Sequence, residues 1–169
     1  MKKNLTFLAF AVIVIAGCNT KKDSDYKTAA EEHIKNGNVP EAIVTYDNLV
    51  KEFPESKLAP TAIYEKAALY QNRLVKNLSP RESLEKASKI YREVYEKYPD
   101  SEEAPKSLFM SGFILANELK KFREATETYN LFLSKYPEDK LAVAARQELD
   151  NMGLTPEEII NKKKLSTGT

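Results

Sequence analysis

One apolar phrase occurs three times in this chain, and it constrains the fold more than any other feature. Each copy has apolar residues at offsets 0, 4, 7, 8 and 11 and a proline at offset 12. The copies run from Ala42 to Pro54, from Ala87 to Pro99 and from Ala125 to Pro137. These offsets lie on one face of an α-helix, and the proline ends the helix because it lacks an N–H. Repetition of such a unit predicts a helical solenoid.

Each copy is predicted to be the second helix of a helix–turn–helix unit. In the first unit, Gly37 suits the left-handed conformation that ends a helix, and Pro40 suits the first turn of the next helix. Small residues recur at offsets 17 and 20 from the start of the phrase, where they let helices approach closely. They are Ala59, Ala104 and Ala142 at the first offset and Ala62, Ser107 and Ala145 at the second.

This arrangement resembles the tetratricopeptide repeat. The residues that carry the resemblance are Gly37, Ala42, Tyr46, Leu49 and Pro54, with the small residues Ala30, Ala67 and Gly112 in the first helices. The resemblance covers roughly residues 24–150. It implies an all-α fold, a right-handed superhelical solenoid of about three helix pairs, with residues 142–152 as a capping helix.

The chain departs from the ordinary period of that repeat, which is about 34 residues. The three prolines that end the phrases are 45 and 38 residues apart. The longer interval contains an insertion at residues 73–81, which could be a protruding loop or an extension of both helices. We favour longer helices with a turn at residues 77–80. Beyond Gly153, Thr155 and Pro156 indicate a further short helix to about Lys163, and the residues from Leu165 are expected to fray.

The N-terminus carries a targeting signal. Residues 5–16 are uncharged and largely apolar and follow two lysines. A membrane span needs about 20 apolar residues, so this segment is interpreted as a signal peptide. The sequence Ile-Ala-Gly-Cys at residues 15–18 resembles the bacterial lipobox, with isoleucine where leucine is commonest. The resemblance implies cleavage before Cys18 and lipidation of Cys18, and Asn19 favours the outer membrane over the inner one.

We therefore divide the chain into four predicted parts. Residues 1–17 are the cleaved signal peptide, and residues 18–23 are the lipidated N-terminus and tether. Residues 24–153 form the repeat solenoid, and residues 154–169 form a short helix and tail.

Composition excludes several classes of function. The chain has 26 basic and 25 acidic residues, so it lacks the basic excess of a nucleic-acid-binding protein. Its one histidine, His33, and its one cysteine give no metal-ligand set. Adjacent acids such as Glu102 and Glu103 point in different directions on a helix and are interpreted as first-turn acids. Without a phosphate loop or a catalytic set, we predict a non-enzymatic protein that needs no cofactor or metal.

The first helices of the pairs, at residues 26–36, 58–74 and 103–119, are expected to line the concave groove that the resemblance implies. The candidate groove residues are Tyr64, Gln71, Asn72, Phe109, Phe113 and Asn117. One hypothesis is that the aromatics and amides bind an extended peptide. The alternative is that the aromatics belong to the core. A clamp for acidic tails, which some family members carry, is interrupted at Glu31, where asparagine would be expected.

Residues 98–105 and 53–60 further resemble a repeat variant of two bacterial envelope families. One is the outer-membrane β-barrel assembly lipoprotein, which the lipobox favours, and the other is the Tol–Pal-associated coordinator, which the small number of repeats favours. The predicted function is a lipid-anchored scaffold on the periplasmic face of the outer membrane, with envelope proteins or peptides as partners and Cys18 as its membrane contact. The alternatives are a lipoprotein that binds a small ligand or glycan, and a Tol–Pal-type coordinator.

Overall fold

The computed structural model describes residues 21–167, which are helical apart from short connections. The predicted signal peptide and the predicted lipidation site, Cys18, lie outside the described residues. The helices are α1 (Asp23–Lys35), α2 (Val39–Glu52), α3 (Leu58–Gln71), α4 (Pro80–Lys97), α5 (Glu103–Phe113), α6 (Phe122–Lys135), α7 (Ala142–Asn151) and α8 (Pro156–Thr167), with a π-helical segment (Ile114–Glu118) after α5. No strand occurs in this part of the chain, and none of its helices has both the length and the apolar character of a membrane span.

The helices pack in chain order, so the predicted solenoid of helix pairs is confirmed. The pairs are α1–α2, α3–α4 and α5–α6, and α7 packs on α6 as the predicted cap. The first helices also contact one another, α1 with α3 and α3 with α5, whereas no comparable packing joins α2 to α4 or α4 to α6 among the described helices. Because neighbouring helices are closest on the inside of a curved array, the first helices line the concave side.

The repeated phrase supplies the core. Its residues at offsets 0, 4 and 7 are all 2% exposed or less. They are Ala42, Tyr46 and Leu49, then Ala87, Tyr91 and Val94, then Ala125, Tyr129 and Phe132. Residues at offsets 8 and 11, such as Val50 and Tyr95, are only partly buried. The predicted apolar face is therefore correct, and its first three positions are the ones that face the adjoining helices.

A residue in the left-handed backbone conformation follows each of the three first helices. Gly37, Arg73 and Lys120 have positive φ angles of 75°, 58° and 56°. In the first two turns the following N–H donates to a carbonyl five residues earlier, as Leu74 does to Leu69 at 3.0 Å. After the π-helical segment the carbonyl is six residues earlier, since Lys121 donates to Leu115 at 2.8 Å. This closing pattern satisfies carbonyls that a helix end leaves free. It also ends α3 at Gln71, three residues before the predicted end at Leu74.

Most of the insertion at residues 73–81 is the connection between α3 and α4, since residues 72–79 lie outside both helices, and the remainder lengthens only α4. The second helix α4 has 18 residues, whereas α3 has 14, the same as α2. The expectation that both helices of this pair are longer was therefore wrong for α3, because the left-handed residue Arg73 closes it. Helix α4 begins in a capping box, in which Ser79 Oγ accepts from the Glu82 N–H at 3.2 Å and Glu82 accepts from the Ser79 N–H at 2.8 Å.

The C-terminal segment adds one more helix. Gly153, at a φ of 80°, follows α7 as expected. Thr155 and Glu158 then form the predicted N-terminal cap of α8, with hydrogen bonds of 2.7 and 3.3 Å. Helix α8 continues to Thr167, beyond the predicted end at Lys163. Lys162 Nζ donates to the Asp150 carbonyl at 2.7 Å and so holds α8 against the end of α7.

Candidate binding groove on the first helices

The two predicted aromatics Tyr64 and Phe109 occupy equivalent places on α3 and α5. Each is partly buried and packs against the tyrosine of its own second helix. The Tyr64 ring centroid lies 5.2 Å from that of Tyr91, and the Phe109 centroid lies 5.6 Å from that of Tyr129. Each ring adjoins the core while part of its surface stays accessible. The core alternative and the peptide-binding hypothesis therefore both remain open for these two rings.

Gln71 faces the core rather than a ligand. Its Oε1 accepts a hydrogen bond of 2.7 Å from the Tyr91 hydroxyl. Burial raises the pKa of the Tyr91 phenol, so this hydroxyl stays protonated and can donate. Gln71 thus positions Tyr91, which in turn supports one side of the Tyr64 ring.

The remaining predicted residues lie towards the C-terminal ends of the first helices. Asn72 is exposed and caps α3 through its backbone N–H, and Phe113 is partly buried at the end of α5. Asn117 lies in the π-helical segment, where its Nδ2 donates to Glu148 Oε2 of α7 at 2.8 Å. Asn117 also lines a cavity of about 300 Å³ that includes Phe122.

The structure does not gather the six predicted residues into one site. Tyr64 alone among them lines a larger cleft of about 570 Å³, which we call the α3–α5 cleft. Its walls come from the N-terminal halves of α3 and α5 and from residues 138–141, before α7. Asn117 belongs to the separate cavity near the C-terminus. Whether any of these residues binds a ligand stays a prediction.

Within the α3–α5 cleft, Lys106 lies over the Tyr64 ring. Its Nζ is 4.3 Å from the ring centroid, a distance typical of a cation–π contact. Thr61 Oγ1 donates to Glu103 Oε1 and so joins α3 to α5 at the floor of the cleft. Lys106 occupies the position on α5 that Thr61 occupies on α3, since both precede the groove aromatic by three residues.

Carboxylates dominate the charge of this cleft, and the sequence analysis missed them. The acidic residues of its lining are Glu65, Glu102, Glu103, Glu138 and Asp139. Two of them had been interpreted only as first-turn acids, and none of the five had been assigned to a binding site. One feature of the sequence could have pointed to them, because Glu65 directly follows Tyr64, which was already assigned to the groove.

Carboxylates beyond the cleft lie near the buried tyrosines of the second helices. Burial, followed by the nearby carboxylates of Glu65 and Glu31, raises the pKa of Tyr46 to about 12. Burial and then Glu148 raise the pKa of Tyr129 in the same way. Carboxylates on α1, α3 and α7 therefore lie close to the buried tyrosines of α2 and α6.

Comparison with known protein families agrees with this architecture. The family described as "Tetratricopeptide repeat" matches residues 24–56 and 106–139. The first match covers α1 and α2, and the second covers most of α5 and all of α6. A search of curated proteins found no match. The solenoid and the two repeat matches together support tetratricopeptide repeats in this chain, and such repeats suggest a protein–protein interaction scaffold.

Proposed function

We propose that the protein is a lipid-anchored scaffold of the bacterial cell envelope that holds a segment of a partner protein in its concave groove. The assembly of outer-membrane proteins is the process that this role would serve. The observation that carries the proposal is the α3–α5 cleft, an accessible cleft of about 570 Å³ that contains a supported aromatic ring and charged side chains. Peptide-binding grooves combine such anchors for affinity and specificity.

The anchor part of the proposal rests on the lipobox-like sequence at residues 15–18. Two or more acyl chains give stable membrane attachment. Only four residues separate Cys18 from the first residue of α1, Asp23. Even fully extended, the chain from Cys18 to Asp23 spans about 17 Å. A lipidated Cys18 would therefore keep α1 close to the bilayer surface and limit the directions from which a partner reaches the groove.

Lipid labelling tests the anchor. Cells that produce the wild-type chain or Cys18→Ser are grown with radiolabelled palmitate and separated into membrane and soluble fractions. The proposal predicts label and membrane sedimentation for the wild type and neither for the variant. Equal labelling of the two proteins would contradict it.

Crosslinking in intact cells tests the scaffold. The wild-type protein is expected to recover specific envelope proteins after crosslinking and purification, identified by mass spectrometry, and Cys18→Ser is expected to lose them. Recovery of nothing above the background of an untagged strain would contradict the scaffold and favour a small-ligand protein.

A further inference from the structure

We propose that the α3–α5 cleft takes a basic, extended segment of the partner protein, whose lysine or arginine packs on Tyr64 in place of Lys106. The inference rests on the proposed scaffold function and adds the chemistry of the partner. Three features of the cleft support it, namely its net charge, its unpaired carboxylates and the cation already on its aromatic ring.

The cleft is negatively charged. Five carboxylates line it, against the ammonium groups of Lys106 and Lys140. A concave surface lined mainly by one sign of charge concentrates the field and attracts ligands of the opposite sign. Complementary charge also selects among partners, because like charges brought together are strongly disfavoured. A basic segment fits this cleft, and an acidic one does not.

The carboxylates of the cleft have no basic partner within the described residues, although Glu103 accepts from Thr61 Oγ1 and Asp139 Oδ1 accepts from the Leu141 N–H at 2.7 Å. None of the five takes part in an ion pair within the described residues. Carboxylates on the second helices behave differently, since Glu93 and Glu96 of α4 and Glu127 of α6 all pair with a basic residue four positions away. These three carboxylates of the second helices are paired, and the five carboxylates of the cleft are not, within the part of the chain that the structure describes.

The aromatic ring of the cleft is held in place to receive a cation. Tyr91 packs on Tyr64 at 5.2 Å, and Gln71 fixes Tyr91 through a 2.7 Å hydrogen bond. The Lys106 ammonium lies 4.3 Å from the centroid of the Tyr64 ring. Lys106 is itself exposed and attached by a flexible stem, so a partner cation can displace it. Lys106 therefore marks the binding position and competes for it.

A polypeptide segment fits the cleft better than a metal ion. Within the described residues, no three His, Cys, Asp or Glu side chains converge as metal ligands would. The carboxylates are instead spread over α3, α5 and residues 138–139. Several basic residues along one peptide can each reach a different carboxylate, because successive residues of an extended chain are about 3.3 Å apart.

Fluorescence anisotropy with two defined peptides tests the inference. The probe is a fluorescein-labelled peptide of repeated Gly-Ser-Lys units, and the comparison peptide has glutamate in place of lysine. We expect the lysine peptide to bind residues 19–169, to bind more weakly as salt is raised, and to outbind the glutamate peptide at least about tenfold. Equal binding of the two peptides, or no binding of either, would overturn the inference.

Three variants locate the binding. Glu65→Gln combined with Glu138→Gln should weaken the lysine peptide about fivefold or more, since it removes two unpaired charges. Lys106→Met keeps the stem but frees the ring, and should strengthen binding about threefold. The control Glu96→Gln on α4 should change nothing. Weaker binding by Lys106→Met, or equal effects of the cleft and control variants at unchanged thermal midpoints, would overturn the inference.

The scaffold and the basic segment can fail separately. A photoreactive residue at position 140, an exposed position in the lining of the cleft, leaves Tyr64, Lys106 and the five carboxylates in place and reports partner capture in cells whatever the partner's charge. If it captures an envelope protein whose crosslink the lysine peptide does not reduce, the scaffold proposal stands and the basic-segment inference is overturned. If the lysine peptide reduces the crosslink and the captured segment is basic, both are supported.

Discussion

The second and third helix pairs have the same aromatic frame but different polar contacts. In the second pair, Tyr64 packs on Tyr91, and the Tyr91 hydroxyl donates to Gln71. In the third pair, Phe109 packs on Tyr129, whose hydroxyl is buried without a hydrogen-bond partner among the described atoms. Ala116 stands 45 residues after Gln71, the same interval that separates Phe109 from Tyr64, so the third pair lacks the acceptor.

This difference distinguishes the residues that pack the solenoid from the residues that a partner could contact. The tyrosine at offset 4 fills the same space in both pairs and is 1% exposed or less in each. The first helices vary around it, and only the second pair places a polar aromatic in the α3–α5 cleft. The tyrosine that packs the solenoid is therefore repeated in both pairs, whereas the aromatic that lines the cleft belongs to the second pair alone.

The largest expected effect removes the shared tyrosine. Tyr91→Ala and Tyr129→Ala should each lower the free energy of unfolding by about 3–5 kcal/mol, because each deletes a large side chain from a packed core. Urea unfolding followed by circular dichroism measures both, with the exposed outer-face change Val44→Ala as the control. A cost below about 1 kcal/mol for either tyrosine would show that the two frames are not equivalent.

The next largest expected effect comes from the close approach of α5 and α6 at Gly112. A Cβ on Gly112 would lie 2.9 Å from the Tyr129 ring, whereas the equivalent residue of the second pair is the buried Ala67. We expect Gly112→Ala to cost about 1–3 kcal/mol through overpacking, despite the better helix propensity of alanine. Thermal unfolding measures the stability change of Gly112→Ala. Helix propensity alone would give a stabilisation of about 1 kcal/mol, and that result would contradict the close approach of the helices.

The two tyrosine hydroxyls should respond in opposite directions. Tyr91→Phe removes a hydrogen bond and leaves Gln71 Oε1 without its donor, so we expect a loss of about 1 kcal/mol. Tyr129→Phe removes a buried hydroxyl that has no partner, so unfolding should cost the same or slightly more free energy than in the wild type. Equal destabilisation by both variants, measured by urea unfolding, would contradict the difference between the pairs.

The smallest expected effect depends on pH. Hydrogen bonds from the Ser79 side chain and backbone lower the pKa of Glu82 at the start of α4, whereas α6 has no side-chain cap. A lowered pKa stabilises the fold above the ordinary glutamate value of about 4.3, and this stabilisation is lost as the pH falls through the folded-state value. In Glu82→Gln, the thermal midpoint should therefore fall less steeply than in the wild type as the pH is lowered through the acidic range. An unchanged profile would contradict the capping role.

The helices and the core could be predicted from the sequence because both follow from periodicity within one helix. Apolar offsets placed Tyr46, Tyr91 and Tyr129 in the core, and proline placed the ends of α2, α4 and α6. The ends of the first helices were harder to predict. Gly37 signals its left-handed turn, but Arg73 and Lys120 adopt the same left-handed conformation because the closing hydrogen bonds outweigh their preference.

The chemistry of the groove was less predictable because it depends on distances between helices. Nothing in the local sequence states that Gln71 meets Tyr91, that Asn117 meets Glu148 or that Lys106 covers Tyr64. Each contact joins residues from different turns or helices. Periodicity placed the candidates on the concave side, and only the packed structure shows which of them are already engaged.

The most direct test of the account compares one residue of the concave side with one of the outer side in living cells. A photoreactive amino acid replaces Tyr64 in the α3–α5 cleft or Val44 on α2, which is 59% exposed. We predict that position 64 crosslinks to a specific envelope protein and that position 44 does not. Crosslinking at position 44 alone, or to the same protein with equal yield at both positions, would contradict the claim that the concave cleft holds the partner.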